Sequence, residues 1–416
     1  MNSLYAVTGT KGKTTIVRLL DHAFQQQGRQ VLRVDTSGVY LNGVLQVSDQ
    51  KSRQKWGFVA TNAPGRFLYL LDDADGVGIL ECTLFCANRG VGLGYKYHNI
   101  GIFTNVFEDH LGCIRGLETK QDIANKKSLV FEKIAPGGSA IYNMDDPLVV
   151  DQLQKVPSHN VRRMGVTLDD TAGDRRRCVV TDSEVLLYDN ELTCRYSLSD
   201  FQWLAAAHRP SRYAIGFTVA ALYEGLDTAR FDEAIQALKT YTFDEDGGRM
   251  VRIDTEGPVV LLDFAHEKYS LHELAMYARS LVSSAGRVIG VVRLAPSRTK
   301  ELIEDTAQFI AKDFDTFIVY DKVDGYWRQP ALVKGFTDKY EEVGKVAGIL
   351  GDALRAQCAD ALVVLREDQA IRAAVKKAGP DDAIVYIVND DGHRSRKFLL
   401  QALQGYQNTK EKGMVE

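Results

Sequence analysis

Apolar positions along the chain fall into two alternating rhythms. Ile16, Leu19, Leu20, Ala23 and Phe24 recur at i, i+3, i+4, i+7 and i+8, the spacing of one buried helix face. Just before them residues 4–7 form a short continuous apolar run, and similar runs occupy 30–35, 76–80, 99–106 and 139–143. Short buried strands that alternate with helices predict an α/β domain with a mostly parallel sheet covered on both faces. The pattern changes at 179–180, 185–188 and 192–197, where short alternating runs are split by Asp-Ser and Asp-Asn turns. That change predicts a small antiparallel appendage. Helices are expected around 213–224 and 231–238.

Residues 243–248 (Phe-Asp-Glu-Asp-Gly-Gly) are charged, glycine-rich and aperiodic, and mark a boundary between domains 1–243 and 244–416. Beyond it, strand-like runs at 259–263, 287–292, 316–320, 361–364 and 383–387 alternate with helical patterns. They predict a Rossmann-like α/β domain of about 170 residues, a common domain size. The polar tail after Gln404 is expected to fray.

Composition narrows the partners more than the fold. With 45% apolar and 25% charged residues the chain has the make-up of an ordinary globular protein. A net charge of −4 gives no electrostatic basis for a nucleic-acid or membrane partner. Arg175-Arg176-Arg177 lies among Asp169, Asp170 and Asp174 and reads as a solvated loop. The six cysteines form no CxxC pair, which favours reduced thiols. The sequence starts directly in its first strand and has no apolar run of membrane-spanning length, so a cytoplasmic location is expected.

Between the first strand and first helix stands Thr8-Gly9-Thr10-Lys11-Gly12-Lys13-Thr14-Thr15. A glycine turn feeding a helix N-terminus aims backbone N–H groups and a partial positive charge at one point, which suits phosphate. Thr10 to Thr15 would cradle it, with Lys13 neutralising charge and the Thr14 hydroxyl available to Mg²⁺. Val7 stands where the common P-loop has its first glycine, so the loop is a shortened variant. Glu81 follows the 76–80 run, and Asn105, Asp109 and His110 follow the next strand. In a parallel sheet these emerge on the P-loop's edge, where a carboxylate and an imidazole suit a divalent metal. Taken singly, Glu81 also reads as a solvated or capping residue and His110 as a satisfied polar group.

Several segments together resemble the Mur ligase superfamily: GTKGKTT (9–15), LEC (80–82), TNVFEDHLG (104–112), NKKSLVF (125–131), YNMDDP (142–147), DGGRM (246–250) and DFAHEKYS (263–270). Within it, 38–43, 134–138 and 287–292 are similar to the carboxy-terminal half of cyanophycin synthetase. The resemblance implies an ATP-dependent, ADP-forming ligase that joins an amine to a carboxylate through an acyl phosphate. It implies two Mg²⁺ ions, the first held by Thr14 and Glu81, the second with help from His110. Lys127 aligns with a lysine carbamylated in several family members, with Lys126 beside it as the alternative. Asn105 belongs to the nucleotide site, Arg249 resembles an arginine that reaches the ATP phosphates, and Asp263 resembles an aspartate that fixes the nucleotide, with His266 in the same turn. The uridine-nucleotide and ATP-grasp domains of relatives have no counterpart, so a stand-alone two-domain ligase is expected.

Departures from the family pattern carry their own expectations. Glu267 and Lys268 replace an Asn-Pro pair, and His208–Tyr213 replaces an Asn-rich helix start, which bears on contacts to the base. Cys82-Thr83-Leu84-Phe85-Cys86 is more apolar than in relatives and points to a different acid. Arginines 293, 298, 328, 394 and 396 are candidates to hold a carboxylate of the incoming amine substrate, Arg328 and Arg394 foremost. Lys127 on an exposed lysine pair, Arg249 in a linker salt bridge, and a nucleotide-binding subunit without ligation are the competing readings. A P-loop ATPase or kinase is another. The partners expected are small molecules or peptides, and an oligomer is compatible with the sequence.

Overall fold

A computed structural model of the chain describes residues 3–48, 60–72, 75–88, 92–108, 111, 116–156, 160–171, 173–204, 208–242, 250–296, 298–322, 342–389 and 392–413, with side chains to 405. The described chain divides into two compact units, the first ending at Thr242.

The first unit contains β1 (Ser3–Thr8), β2 (Val31–Asp35), β3 (Gly38–Leu41), β4 (Val44–Ser48), β5 (Val77–Glu81), β6 (His98–Phe103), β7 (Ile134–Asn143), β8 (Arg162–Thr167), β9 (Arg176–Val180), β10 (Glu184–Asp189) and β11 (Glu191–Ser197). They form one sheet in the order β11-β10-β9-β8-β7-β6-β1-β5-β2-β3-β4. Pairing is parallel from β9 to β2 and antiparallel at both ends. The antiparallel strands expected near residues 179–197 are therefore an extension of the main sheet. The opposite edge, β3–β4, turns at Asn42 (φ 50°) and Gly43 (φ 76°), a two-residue Asn-Gly hairpin whose left-handed backbone these residues tolerate.

The order places β1 between β5 and β6. The chain leaves β1 toward β2 on one side and later returns to β6 on the other, which opens a crevice beyond the carboxyl ends. Register fixes what meets there: Val7 pairs with Glu81, and Thr8 with Phe103. The helix Lys13–Gln26 lies over the sheet by burying Ile16, Val17, Leu19, Leu20, Ala23 and Phe24, the face its spacing predicts.

The second unit contains β12 (Val251–Ile253), β13 (Val259–Asp263), β14 (Val288–Val292), β15 (Thr316–Val319), β16 (Ala361–Val363) and β17 (Ala383–Ile387), ordered β12-β13-β17-β14-β15-β16. Only β12 is antiparallel to its neighbour. Val260, Leu262, Ile289, Val291, Ile384 and Tyr386 pack one core with Ala370, Ile371, Ala374 and Val375 of the helix Glu367–Lys377. The last helix runs Gly392–Gly413, beyond the point where fraying was expected. Gln407, Lys410, Glu411 and Lys412 are good helix formers, so polarity there does not stop the helix.

Candidate active site

The P-loop follows β1 and ends at Gly12, whose left-handed backbone (φ 84°, ψ −14°) starts the helix Lys13–Gln26. No side chain caps this helix, and its Ile16 amide closes onto Gly12 O at 3.1 Å. Lys13, Thr14 and Thr15 thus make up a first turn of the kind that accepts an anion. Gly9 is required on steric grounds. At φ 134° a Cβ there would lie 1.9 Å from Thr104 Oγ1.

The loop is tied from the strand beside it. The Thr104 hydroxyl donates to Lys11 O at 2.6 Å. The Asn105 side-chain oxygen accepts from Lys11 N at 2.8 Å and Thr10 N at 3.2 Å, while its amide nitrogen donates to Lys11 O at 3.2 Å. Thr10 Oγ1 in turn accepts from Phe107 N at 3.0 Å. The YNMDDP segment holds that strand end in place: Asn143 Nδ2 donates to Thr104 O at 2.8 Å, and Asp146 accepts from Val106 N at 2.7 Å while capping the helix Pro147–Gln154.

Three charged groups meet the loop. Glu81 is 1% exposed, and its carboxylate accepts from the Thr14 hydroxyl at 2.8 Å. Lys13 Nζ lies 3.9 Å from the same carboxylate and donates to Thr10 O at 3.0 Å. Lys127 is buried, and its Nζ donates to Gly9 O at 2.7 Å. Of the lysine pair 126–127, the second is the one turned into the loop. Lys127 sits in a helix (Lys120–Lys127) started by a Thr119–Asp122 capping box, which sequence spacing alone did not single out. His110, Arg249 and Arg328 lie outside the described residues.

Thr14 and Glu81 offer two oxygen ligands side by side. Among the described residues no group of three or more His, Cys, Asp or Glu could hold a metal. Mg²⁺ keeps several waters and binds through one or two protein oxygens plus phosphates, so this donor set fits it.

The helix start that replaces the Asn-rich pattern is closed on itself. His208 is buried, its Nδ1 lies 2.8 Å from Ser211 Oγ, and burial pushes its pKa down to about 3. Tyr213 donates to Asp145 at 2.6 Å.

In the second unit Asp263 ends β13 and accepts from Met250 N at 2.9 Å, which anchors the residue next to Arg249 in the chain. His266 Nδ1 lies 2.9 Å from Phe264 O. Glu267 caps the helix Lys268–Leu281, accepting from Tyr269 N and Ser270 N at 2.9 and 2.7 Å, and Lys268 pairs with Asp305 at 2.6 Å. Both departures from the Asp-x-Ala-His-Asn-Pro pattern therefore have local structural roles. Arg293 is 1% exposed, donates to Val388 O at 2.7 and 3.2 Å, and stacks 4.7 Å from the Phe264 ring centre. Arg298 is buried, and Arg396 is half-buried. Arg394 donates to Glu367 at 2.9 Å. Glu367, fully buried, also accepts from Tyr386 OH at 3.0 Å, Asn389 N at 3.2 Å and the Ser395 hydroxyl. Sequence reading passed over Glu367, because a single glutamate at a helix start carries no signal of burial.

A P-loop α/β unit is followed in the chain by a Rossmann-like α/β unit. Residues 7–195 match the Mur ligase middle domain, and residues 248–387 match the Mur ligase glutamate ligase domain. The chain belongs to the Mur ligase family. It is 27% identical over 390 residues to cyanophycin synthetase of Nostoc sp. (strain PCC 7120), a match that covers 89% of this chain and 42% of that protein. The chain thus spans about two fifths of the length of the cyanophycin synthetases it matches. It is 26% identical over 325 residues to the UDP-N-acetylmuramoyl-L-alanyl-D-glutamate–2,6-diaminopimelate ligase of Chlorobium phaeobacteroides, covering 75% of this chain and 60% of that one. The fold is shared with a pseudomurein peptide ligase type C from Methanothermus fervidus (TM-score 0.65, 15% identity, 96% of this chain and 78% of that one). It is also shared with a Yersinia pestis bifunctional folylpolyglutamate synthase/dihydrofolate synthase complexed with AMPPNP and Mn (TM-score 0.63, 19% identity, 96% and 88%). Among the described residues no helix is long and apolar enough to cross a membrane, and Cys82, Cys86, Cys178, Cys194 and Cys358 are free thiols.

Proposed function

We propose that the protein is an ATP-dependent, ADP-forming ligase that joins an amino acid or similar amine to an acidic small molecule or peptide. The observation that carries this reading is the Thr14–Glu81 contact of 2.8 Å at the mouth of a P-loop, with Lys13 Nζ 3.9 Å from that carboxylate and Lys127 bonded to Gly9 O of the loop. A carboxylate oxygen of the acid attacks the γ-phosphorus of ATP, and ADP leaves. The amine then attacks the acyl carbon of the resulting acyl phosphate, inorganic phosphate departs, and an amide remains. Phosphoryl transfer needs positioning and charge neutralisation above all. Thr10 to Thr15 cradle the phosphates, Lys13 neutralises them, and Asn105 keeps the loop in shape. Thr14 and Glu81 would hold one Mg²⁺ and His110 would help hold a second; bound metal supplies charge stabilisation on the phosphates.

Lys127 would be carbamylated, and its anionic carbamate would help to hold the second metal. Arg249 would contact the ATP phosphates, Asp263 would fix the nucleotide, with His266 in the same turn, and Arg328 with Arg394 would receive a carboxylate of the amine substrate. The two-part ligase is read as a cytoplasmic enzyme with domains 1–243 and 244–416. The nearest rival is a nucleotide-binding subunit without ligation, which rests on Glu267, Lys268 and the missing Asn-rich helix start at 208–213. The helix-capping role of Glu267 and the ion pair of Lys268 give those two departures another cause. Transfer of ¹⁸O from a labelled acid to released phosphate tests the mechanism. The reading expects one labelled oxygen per phosphate, and unlabelled phosphate would overturn it. Lys127→Ala is expected to lose activity and regain part of it with added small carboxylates; wild-type activity in that variant would remove carbamylation.

A further inference from the structure

The peptide between Lys11 and Gly12 decides what the P-loop offers an anion. The two amides before it are spent inside the protein: Thr10 N donates to Asn105 O at 2.9 Å, and Lys11 N donates to the Asn105 side-chain oxygen at 2.8 Å. Gly12 N–H is the next along the loop, and it makes no hydrogen bond among the described residues. Its surroundings are open as well, since a Cβ on Gly12 would meet no heavy atom within 4 Å. It leads directly into the uncapped first turn of the helix Lys13–Gln26, so its direction extends or breaks that cradle.

That direction is set from the other side of the same peptide. A trans peptide is planar, with its C=O and N–H pointing opposite ways, so whatever holds Lys11 O also aims Gly12 N–H. Lys11 O accepts from the Thr104 hydroxyl at 2.6 Å and, less closely, from Asn105 Nδ2 at 3.2 Å. Both donors stand just beyond β6, so the Lys11 carbonyl is turned toward that strand end and the Gly12 amide away from it. Thr104 is fixed well enough to hold the bond. It is 1% exposed, its N–H donates to Thr8 O at 3.0 Å, and its carbonyl accepts from Asn143 Nδ2 at 2.8 Å. Branching at Cβ restricts χ1, so a fixed backbone fixes the hydroxyl. The loop makes room for it: Gly9 lacks a side chain where a Cβ would lie 1.9 Å from Thr104 Oγ1. Asn105 divides its amide group among Thr10 N, Lys11 N and Lys11 O, whereas the Thr104 hydroxyl makes no second hydrogen bond among the described residues.

We propose that Thr104 is a positioning residue of the nucleotide site, whose hydroxyl turns the Lys11–Gly12 peptide so that Gly12 N–H donates to a phosphate oxygen. This role rests on the ATP-binding reading above; Thr104 acts through the peptide and not by touching the nucleotide. The test is calorimetric titration of the whole protein with MgADP, beside thermal melts of the unliganded forms. Wild type is expected to bind saturably. Thr104→Val keeps the branched shape, removes the donor, and should weaken MgADP about 10-fold, as misdirecting a charge-assisted hydrogen bond does. Thr104→Ser restores the hydroxyl and should bind close to wild type. A hydroxyl with only a structural role would lower the melting temperature of Thr104→Val and leave its MgADP affinity at the wild-type value, which would overturn the proposal. Equal weakening in Thr104→Ser would overturn it too, because the hydroxyl would not be the cause. Should Thr104→Val fail to fold, Thr104→Ala is titrated in its place with the same expectation and the same contrary result. No saturable MgADP binding by wild type would overturn the nucleotide site itself, and this role with it.

Discussion

The two units arrange polar groups beyond the carboxyl ends of parallel strands in opposite ways. In the first, the ties converge on the backbone of the P-loop: Thr104 and Asn105 hold Lys11, and Lys127 holds Gly9. The uncapped first turn and the Glu81–Thr14 pair are what that bracing presents. In the second, the ties converge on a buried side chain. Glu367 gathers donors from Tyr386, Asn389, Arg394 and Ser395. The first network shapes a surface to receive something else; the second satisfies the buried Glu367 carboxylate and fixes the turn after β17. Polar residues at equivalent rims can therefore differ in whether their loss is felt first in chemistry or in stability.

The largest expected effect follows from that contrast. Lys13→Ala should lower turnover by on the order of 10³-fold with little change in the unfolding midpoint, since its charge serves developing phosphate charge. Stopped-assay amide yield and a thermal melt on the same variant check both halves. Glu81→Ala should raise the Mg²⁺ concentration needed for half-maximal activity by more than the roughly 10–100-fold that loss of an outer-sphere partner costs. A wild-type Mg²⁺ titration would remove Glu81 from the metal site. In the other unit, Glu367→Gln should lower stability by about 2 kcal/mol, because a buried carboxylate that accepts several hydrogen bonds, one from Arg394, is replaced by an amide. An unchanged denaturation midpoint would erase the distinction between the two rims.

Smallest when taken per pH unit is the effect of two buried histidines. His208 and His98 are both held neutral by burial, with pKa values lowered to about 3. The unfolded chain protonates such residues below about pH 6.5, the ordinary histidine value, whereas the folded chain resists until about pH 3. Stability should therefore be flat in these groups above pH 6.5 and fall as pH drops from there toward 3. Each histidine contributes a slope of about 1.4 kcal/mol per pH unit inside that window. His208→Asn should make the acid limb of a stability–pH curve shallower by that amount, and an unaltered slope would show that His208 is not the buried neutral group described.

The contrast also explains what could be read from sequence. Nearly all of the first rim is local: a glycine loop between an apolar run and an amphipathic stretch, and Glu81 directly after another run. Parallel register then brings those strand ends together without further information. The β3–β4 hairpin had a sequence signal too, since Asn42-Gly43 between apolar runs is the strongest short hairpin cue, but the strands are short and one is exposed. The Glu367 network left no trace in spacing. Its members come from a helix start, from β17 and from the turn that follows, and only their packing brings them within hydrogen-bond range.

Phosphate release measured across a matrix of carboxylic acids and amines, with ATP and Mg²⁺ held constant, addresses the ligase reading most directly. Release that requires one acid and one amine together, matched mole for mole by an amide, is the predicted result. Steady release with neither present, or tight ADP binding with no acid- and amine-dependent release anywhere in the matrix, would contradict it.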